Sequence, residues 1–278
     1  MKKTLITIFV LIAGVGIILY PTISNYFAEK NSSRAIRIYD DSITSSDDEN
    51  LESEWEAAEQ YNESLTGSPV HDPFIDGSGM AMPDDYRKVL DVDGVMGYIE
   101  IPKINVYLPI YHGTNEATLR RGVGHLEGST LPIGGSNRHC VLTGHSALAS
   151  ARLFTDLTEL QEGDVFFLYV LGHTLAYQVD QVKIVEPHNT DDLTRLNNGD
   201  YCTLLTCTPY GINSHRLLVR GVRIAYDPEL RNVGESGGKN PYDRAFSLVA
   251  ILVAFLLLET IKLVLIIRRK KETKAVKE

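Results

Sequence analysis

Two segments of the sequence carry residues that could perform nucleophilic chemistry. The first is residues 203–221, in which an apolar, Thr-rich run typical of a strand ends at Cys207. Pro209 and Gly211 then force a turn. A cysteine at a strand end is exposed while the strand fixes its backbone, as a nucleophile on a rigid scaffold requires. Arg216 opens the next apolar run, so a hairpin of the two runs would return Arg216 close to Cys207.

The second segment is residues 140–146, where a short apolar run ends in a glycine turn and His145 follows. A thiol with a pKa of about 8.5 is only a few per cent thiolate at neutral pH, so a working cysteine needs a cation or a base beside it. Arg216 supplies a permanent charge but no base. His145 is the best placed of the eight histidines to be that base, provided that the two strand ends meet. On spacing alone, the alternative is a buried small thiol and an ordinary loop histidine.

The segment that must position these residues, 92–226, consists of short apolar runs separated by Gly, Pro, Asn or Asp turns. Strands are predicted over residues 97–101, 106–111, 139–142, 165–171, 175–185, 201–207 and 217–225. Seven or eight strands at such spacing indicate a mainly β fold closed into a barrel, with one helical stretch near residues 153–160. No nucleotide-binding glycine pattern and no His-Glu-x-x-His zinc helix is present, so neither cofactor nor metal is expected.

The sequence of residues 203–221 closely resembles the active-site strand pair of sortases, the cell-surface cysteine transpeptidases. Thr-Leu-Leu-Thr-Cys and Thr-Pro-Tyr-Gly-Ile-Asn-Ser-His-Arg-Leu-Leu-Val-Arg-Gly carry the resemblance, and in detail they resemble class C, the pilin-polymerising branch. Residues 97–104, 122–128 and 142–145 fit the same branch, so the resemblance spans about residues 93–224. It implies that Cys207 is the nucleophile, His145 the proton-transfer partner, and Arg216 the group that stabilises substrate and oxyanion.

The same resemblance implies the substrates. A class C sortase cleaves the Thr-Gly bond of an LPxTG-like sorting signal to form a thioester, which it transfers to a Lys amine of another pilin subunit. A sortase that attaches surface proteins to the cell wall is an alternative within the family. An exported cysteine protease or acyl hydrolase would use the same Cys207 and His145. The alternative that is not an enzyme is a surface-anchored binding module in which the cysteine has no chemical role.

A loop rich in Gly, Pro and Ser, residues 67–79, carries a carboxylate and an aromatic ring side by side at Asp72-Pro73-Phe74. This triplet is similar to the Asp-Pro-aromatic lid that folds over the active site of class C sortases. A carboxylate can engage a guanidinium while an apolar ring covers a thiol. The resemblance therefore implies that Asp72 pairs with Arg216 and Phe74 covers Cys207. The alternative is an ordinary surface turn.

Two apolar segments near the chain ends predict transmembrane helices. Residues 5–20 form an apolar run of 16 residues without a small-residue cleavage site after it, which favours an uncleaved anchor over a signal peptide. Residues 245–267 are apolar except for Glu259 and Lys262, and the basic run 268–271 follows. By the positive-inside rule both termini are expected in the cytoplasm and residues 26–244 outside. The resemblance to sortases implies that the surface is of the Gram-positive type.

The predicted organisation follows these composition changes. It comprises an N-terminal anchor 1–25, an acidic and partly helical segment 26–66, a lid loop and linker 67–90, the barrel 91–226, a linker 227–244, a transmembrane helix 245–267 and a basic tail 268–278. Within the second segment, apolar residues recur at helical spacing between residues 51 and 65 among glutamates, which predicts an amphipathic helix.

The charge distribution narrows the classes of expected partner. The formal net charge is −9 and both ends are basic, so the middle of the chain is strongly acidic. This argues against nucleic acid and suits a basic, Lys-bearing partner such as a pilin or surface protein with a C-terminal sorting signal.

Three cysteines leave at least one free thiol. Cys202 and Cys207 face opposite sides of one strand, whereas a Cys140–Cys202 bridge is geometrically open; we expect both to be buried and free.

Overall fold

The computed structural model describes residues 2–65, 70–75, 82–194 and 199–234 and four isolated positions, 255, 259, 262 and 266. The chain divides into two compact units, Met1–Tyr26 with Gly237–Glu278, and Phe27–Ser236. The helices are α1 Lys2–Ser45, α2 Asp48–Ser64, α3 Asp84–Lys88, α4 Glu116–Leu119 and α5 Glu229–Gly234, and short 3-10 turns cover Pro102–Ile104, Thr155–Glu159 and Asp191–Leu193. The strands are β1 Gly97–Ile101, β2 Val106–His112, β3 Val123–His125, β4 Arg138–Thr143, β5 Val165–Val170, β6 His173–Val185, β7 Asp200–Thr208 and β8 His215–Ile224.

The eight strands close into a barrel in the order β1-β2-β3-β4-β7-β8-β6-β5. The pairs β2/β3 and β4/β7 are parallel, and the remaining neighbours are antiparallel. The expectation of a closed barrel with seven or eight strands is therefore confirmed. β3 was not predicted because three residues around Gly124 are too short to show an alternating pattern. A side chain at Gly124 would meet the carbonyl of Gly113 at 2.4 Å, so close backbone packing explains the glycine.

The barrel interior is filled by the inward-facing residues of every strand. Examples that are fully or almost fully buried are Ile99, Ile110, Leu142, Phe166, Tyr177 and Leu204. Burying one large apolar side chain stabilises the fold by about 1.5–3 kcal/mol relative to leaving it exposed. The strand ends that carry functional side chains are therefore held by a core that resists displacement.

Helical segments within the second unit pack on the barrel. α2 begins at its N-cap Asp47, whose side chain accepts a hydrogen bond from the backbone N–H of Asn50. Near its other end Asn62 is buried and accepts a 2.7 Å hydrogen bond from the N–H of Leu131. The ring of Trp55 lies 4.3 Å from that of His173. α2 coincides with the amphipathic pattern in the sequence, and its apolar side contacts the barrel.

The prediction of two membrane-spanning helices is wrong, because no helix in the described part of the chain is both long and apolar enough to cross a membrane. α1 is long, but its apolar run of 16 residues is shorter than the about 17 to 25 that a span needs. Polar and charged residues interrupt the apolar ones throughout the remainder of that helix. The second predicted span, residues 245–267, lies outside the described residues except at the four isolated positions.

The three cysteines are all buried and free. Cys140 and Cys202 occupy directly paired positions on the parallel strands β4 and β7, yet no bond joins them. The expectation for these two residues is confirmed. Cys207 lies on β7 near its carboxyl end, on the opposite face from Cys202.

Candidate active site

The β7–β8 hairpin places Cys207 directly opposite Arg216. The antiparallel register pairs the two residues across the ladder, one pair before its last pair, Thr208 with His215, which borders the turn. That turn is closed by hydrogen bonds from the N–H groups of Ile212 and Asn213 to the carbonyl of Pro209. Because a hairpin is local in sequence, the neighbourhood of Cys207 and Arg216 follows from the turn residues, and the structure agrees with that prediction.

His145 reaches the same end of the barrel through the parallel pairing of β4 with β7. The ladder ends at the pair of Thr143 with Leu205 and continues by a 3.1 Å bond from the N–H of Gly144 to the Leu205 carbonyl. Beyond His145, the hydroxyl of Ser146 donates a 2.6 Å hydrogen bond to the carbonyl of Cys207. The two strand ends therefore meet, and His145 follows β4 where Cys207 lies on its neighbour.

Gly144 makes this approach possible. A side chain at this position would lie 2.7 Å from the ring of Phe154, which is fully buried. The carbonyl of His145 accepts a 3.1 Å hydrogen bond from the N–H of Phe154, so this ring and the His145 backbone are held together. The glycine before His145 is therefore needed for packing under the strand end.

Arg216 is fixed by backbone carbonyls and by a carboxylate. Its Nη1 donates to the carbonyls of Asn213 and His215, both at 3.1 Å. Its Nε lies 2.7 Å from Oδ2 of Asp72, and only 7% and 2% of the two side chains are exposed. The Nε–H does not point along the line to that oxygen, so the contact is a buried ion pair rather than an aligned hydrogen bond.

Residues 70–75, which we call the lid segment, bring Phe74 against the same groups. The Phe74 ring centroid lies 5.2 Å from the guanidinium carbon of Arg216 and 5.4 Å from the ring centroid of His145. Oδ1 of Asp72 accepts a 2.9 Å hydrogen bond from the N–H of Phe74, which closes an Asx turn around Pro73. One carboxylate therefore shapes the turn with one oxygen and faces Arg216 with the other.

The lid segment also has an apolar base. Phe74 packs against a buried cluster formed by Val70, Leu126, Val141, Val185, Leu193, Leu205 and Leu218. Gly67, Gly77 and Gly79, which flank this segment in the sequence, lie outside the described residues. The structure pairs Asp72 with Arg216, as the sequence led us to expect, and places the Phe74 ring against Arg216 and His145. Cover of Cys207 by Phe74 stays a prediction.

Comparisons with known proteins agree with this arrangement. Residues 99–224 match the Sortase domain family. Sortase D of Bacillus subtilis strain 168 is 34% identical over 131 residues, which cover 46% of this chain and 63% of that relative. The structure of sortase C-1 from Actinomyces oris is 47% identical, with a TM-score of 0.62 and coverage of 64% of this chain and 99% of that one. A Streptococcus pneumoniae sortase C is 44% identical, with a TM-score of 0.66 and coverage of 69% and 97%.

The chain belongs to the sortase family. Its match spans a little under two thirds of the Bacillus subtilis relative and almost all of the two solved sortase C chains. Sortases are cysteine transpeptidases, and this family member presents a cysteine, a histidine and an arginine at the ends of three adjacent strands or their extensions. Acyl transfer through a thioester is the chemistry that such a set can perform.

In this sortase the surroundings of Cys207 disfavour the thiolate. Burial raises the pKa of the Cys207 thiol to about 11; Arg216 acts in the opposite direction, and the charge of Asp72 adds to the increase. A group with a pKa of about 11 is protonated at neutral pH, so the closed site holds an unreactive thiol. Arg216 is present, but Asp72 offsets its charge.

The sequence did not reveal the contact of Glu116 with His145. Oε2 of Glu116 lies 3.2 Å from Nε2 of His145, while its Oε1 accepts a 2.6 Å hydrogen bond from Nε of Arg120. The bond from Arg120, assisted by His145, holds the pKa of Glu116 below its usual value. Asn115 followed by Glu116 is a helix-start signal that could have located α4, but its proximity to His145 depends on tertiary structure.

Proposed function

We propose that this chain is a pilin-type sortase whose catalytic barrel is residues 91–226. It cleaves an LPxTG-like sorting signal, holds the acyl part as a thioester on Cys207, and transfers it to a Lys side chain of another pilin subunit. The observation that carries the proposal is the closure of Asp72 and Phe74 over Arg216 and His145. An Asp-Pro-aromatic lid belongs to the class C branch that the sequence resembles.

In the first half-reaction the Cys207 thiol gives its proton to His145, and the resulting thiolate attacks the carbonyl carbon of the Thr-Gly bond. The carbonyl oxygen becomes negative, and Arg216 with a backbone N–H stabilises it. His145 gives its proton to the leaving glycine amine as the carbon–nitrogen bond breaks. Cys207 is then acylated, and the signal's C-terminal fragment departs as a neutral amine.

In the second half-reaction the Lys amine attacks the thioester carbonyl carbon. His145 takes the proton that the amine loses, and the carbon–sulfur bond breaks to return the Cys207 thiolate. The product is an isopeptide bond between two subunits. Because the thiolate and the protonated His145 are regenerated together, the enzyme is ready for another sorting signal.

The lid segment would keep the resting enzyme inactive. The substrate carbonyl needs the guanidinium of Arg216, and in the closed structure Asp72 occupies its Nε side. The ring of Phe74 lies against His145, and Cys207 is only 7% exposed. A sorting signal therefore has to displace Asp72 and Phe74 before either half-reaction can begin.

Pilin subunits with C-terminal sorting signals are the proposed partners, and we place their joining at the cell surface. The Streptococcus pneumoniae relative was described in terms of catalysis and pilin substrate specificity, which supports the same substrate class here. The acidic net charge of −9 suits a basic, Lys-bearing acceptor better than nucleic acid.

A capture assay with competing acceptors tests the proposed reaction. The lid-opened variant Asp72→Ala/Phe74→Ala would be incubated with a sorting-signal peptide and a Lys-bearing pilin peptide, and the adduct and the hydrolysed acid would be quantified. A transpeptidase gives the amine adduct faster than the acid, whereas a protease or acyl hydrolase gives mainly acid. A cell-wall sortase would choose a peptidoglycan-type amine over the pilin lysine when both are present.

A further inference from the structure

The carboxylate of Glu116 contacts His145 but has no part in the two half-reactions described above. Its Oε2 faces Nε2 of His145 at 3.2 Å, and Arg120 binds its other oxygen at 2.6 Å. The His145 side chain is 18% exposed and that of Glu116 is 60% exposed. Arg120 thus holds the carboxylate from the solvent side, leaving one oxygen directed at the imidazole.

Hydrogen bonds and one buried side chain hold α4 and the loop before it, and so fix the backbone that carries Glu116. Asn115 caps α4 by accepting a 3.0 Å hydrogen bond from the N–H of Thr118, and Leu119 anchors the helix in the core. The preceding residue, Thr114, gives its N–H and its hydroxyl to the two oxygens of buried Glu127, at 3.1 and 2.9 Å. A buried carboxylate therefore fixes the loop that presents the exposed one.

Charged and titratable groups lie at this end of the barrel on several elements. Glu116 lies on α4 with Arg120 behind it, Cys207 lies on β7, Arg216 on β8, and Asp72 in the lid segment. In the closed structure Asp72 offsets the charge of Arg216. Once the lid segment lifts, Asp72 leaves Arg216, whereas Glu116 on α4 stays against His145.

We propose that Glu116 is a positioning residue of the transpeptidase reaction, which fixes the ring orientation of His145. A carboxylate bonded to one nitrogen of a catalytic histidine restricts the ring and favours the imidazolium, as the aspartate of serine protease triads does. The imidazolium is the state that donates a proton to the leaving amine. This inference rests on the proposed function, because it assigns His145 its role there.

The test compares substitutions at Glu116 with a matched substitution on another short helix. Glu116→Gln keeps an oxygen acceptor but removes the charge, and Glu116→Asp keeps the charge but shortens the reach. Asp84→Asn is the control, since Asp84 also opens a short helix and pairs with an arginine three residues on, Arg87. All variants would be made in full-length chain carrying Asp72→Ala/Phe74→Ala, so that lid opening does not limit the rate.

The expected result is a selective kinetic loss. Glu116→Gln lowers the rate of thioester formation about tenfold, as loss of an orienting partner usually does, while the melting temperature stays unchanged. Glu116→Asp recovers part of the rate, and Asp84→Asn matches the parent.

Nitrogen-15 spectra of the His145 ring report on the contact without any substrate. We expect Glu116→Gln to change the ring nitrogen shifts, and Asp84→Asn to leave them as in the parent. Unchanged shifts together with an unchanged rate of thioester formation in Glu116→Gln would overturn the positioning role. If the parent itself forms no thioester, the proposed function fails, whereas the ring spectra still decide whether Glu116 orients His145.

Discussion

The carboxylate of Asp72 and the guanidinium of Arg216 form a buried ion pair, with Oδ2 and Nε 2.7 Å apart. Arg216 is directly opposite Cys207, so this pair links the lid segment to the hairpin that carries Cys207. Removing one partner from a buried ion pair typically costs about 3–5 kcal/mol, unless water reaches the remaining charge. Opening the lid segment hydrates both groups together, which makes a two-state lid physically reasonable.

Opening the lid segment should make Cys207 more reactive. In Asp72→Ala/Phe74→Ala, the thiol loses its cover and the nearby negative charge, so we expect alkylation by a small thiol reagent at neutral pH to increase about tenfold. Ile75→Ala is the control, since this exposed residue lies in the same segment. Equal alkylation rates of the double variant and the parent protein across a range of salt concentrations would show that the segment does not cover Cys207.

The pH dependence of alkylation should separate the two states. Burial raises the pKa of Cys207 to about 11 in the closed structure, so the parent rate should climb until pH approaches 11. Removing the cover and Asp72 lowers that pKa, because both act to raise it, while the lowering effect of Arg216 remains. The inflection of the double variant should therefore lie at lower pH. An inflection at the same pH in both proteins would contradict this assignment.

Arg216 should be sensitive to shape as well as to charge. Arg216→Lys keeps the cation but cannot donate to the carbonyls of Asn213 and His215 while also facing a substrate oxyanion. We expect this variant to lose at least about tenfold in thioester formation, and Arg216→Ala to lose about 100-fold or more. The rates would be measured with a sorting-signal peptide in stopped time courses. A near-normal rate for Arg216→Ala would remove the residue from the mechanism.

Gly144→Ala should displace His145 by overpacking. The new methyl group would lie 2.7 Å from the buried ring of Phe154, and relief of such a contact costs about 1–3 kcal/mol. The melting temperature and the thioester rate should both fall. Phe154→Leu in the same chain removes ring atoms from the contact and should restore part of the rate. A single Gly144→Ala variant with parental rate and stability would show that the strand end adapts without moving His145.

Local sequence patterns predicted more of the barrel than of its surroundings. The alternating runs indicated seven of the eight strands, and the Pro209 and Gly211 turn predicted that Cys207 and Arg216 would pair. β3 was not predicted, because a strand of three residues is too short to show an alternating pattern. The membrane-spanning helices were inferred from apolar composition, and no described helix combines the necessary length and hydropathy.

Long-range contacts were harder to predict. Parallel pairing of β4 with β7 joins residues 62 positions apart, so the sequence located both strand ends without giving the register that places His145. Glu116 is separated from His145 by 29 positions and is exposed on a four-residue helix, where a glutamate is usually a solvated surface residue. Such a contact follows from how the loops pack, which a single sequence does not show.

The most direct test of the central claim is mass spectrometry of the protein after reaction with a sorting-signal peptide. The lid-opened variant would be quenched in acid to preserve thioesters, and the acylated residue would be mapped. We predict the mass of the peptide's acyl part, ending at its Thr, on Cys207, its loss on addition of a Lys amine, and no adduct in Cys207→Ala. Cys140→Ala should acylate normally. An adduct on another residue, or turnover that persists in Cys207→Ala, would contradict a thioester mechanism at Cys207.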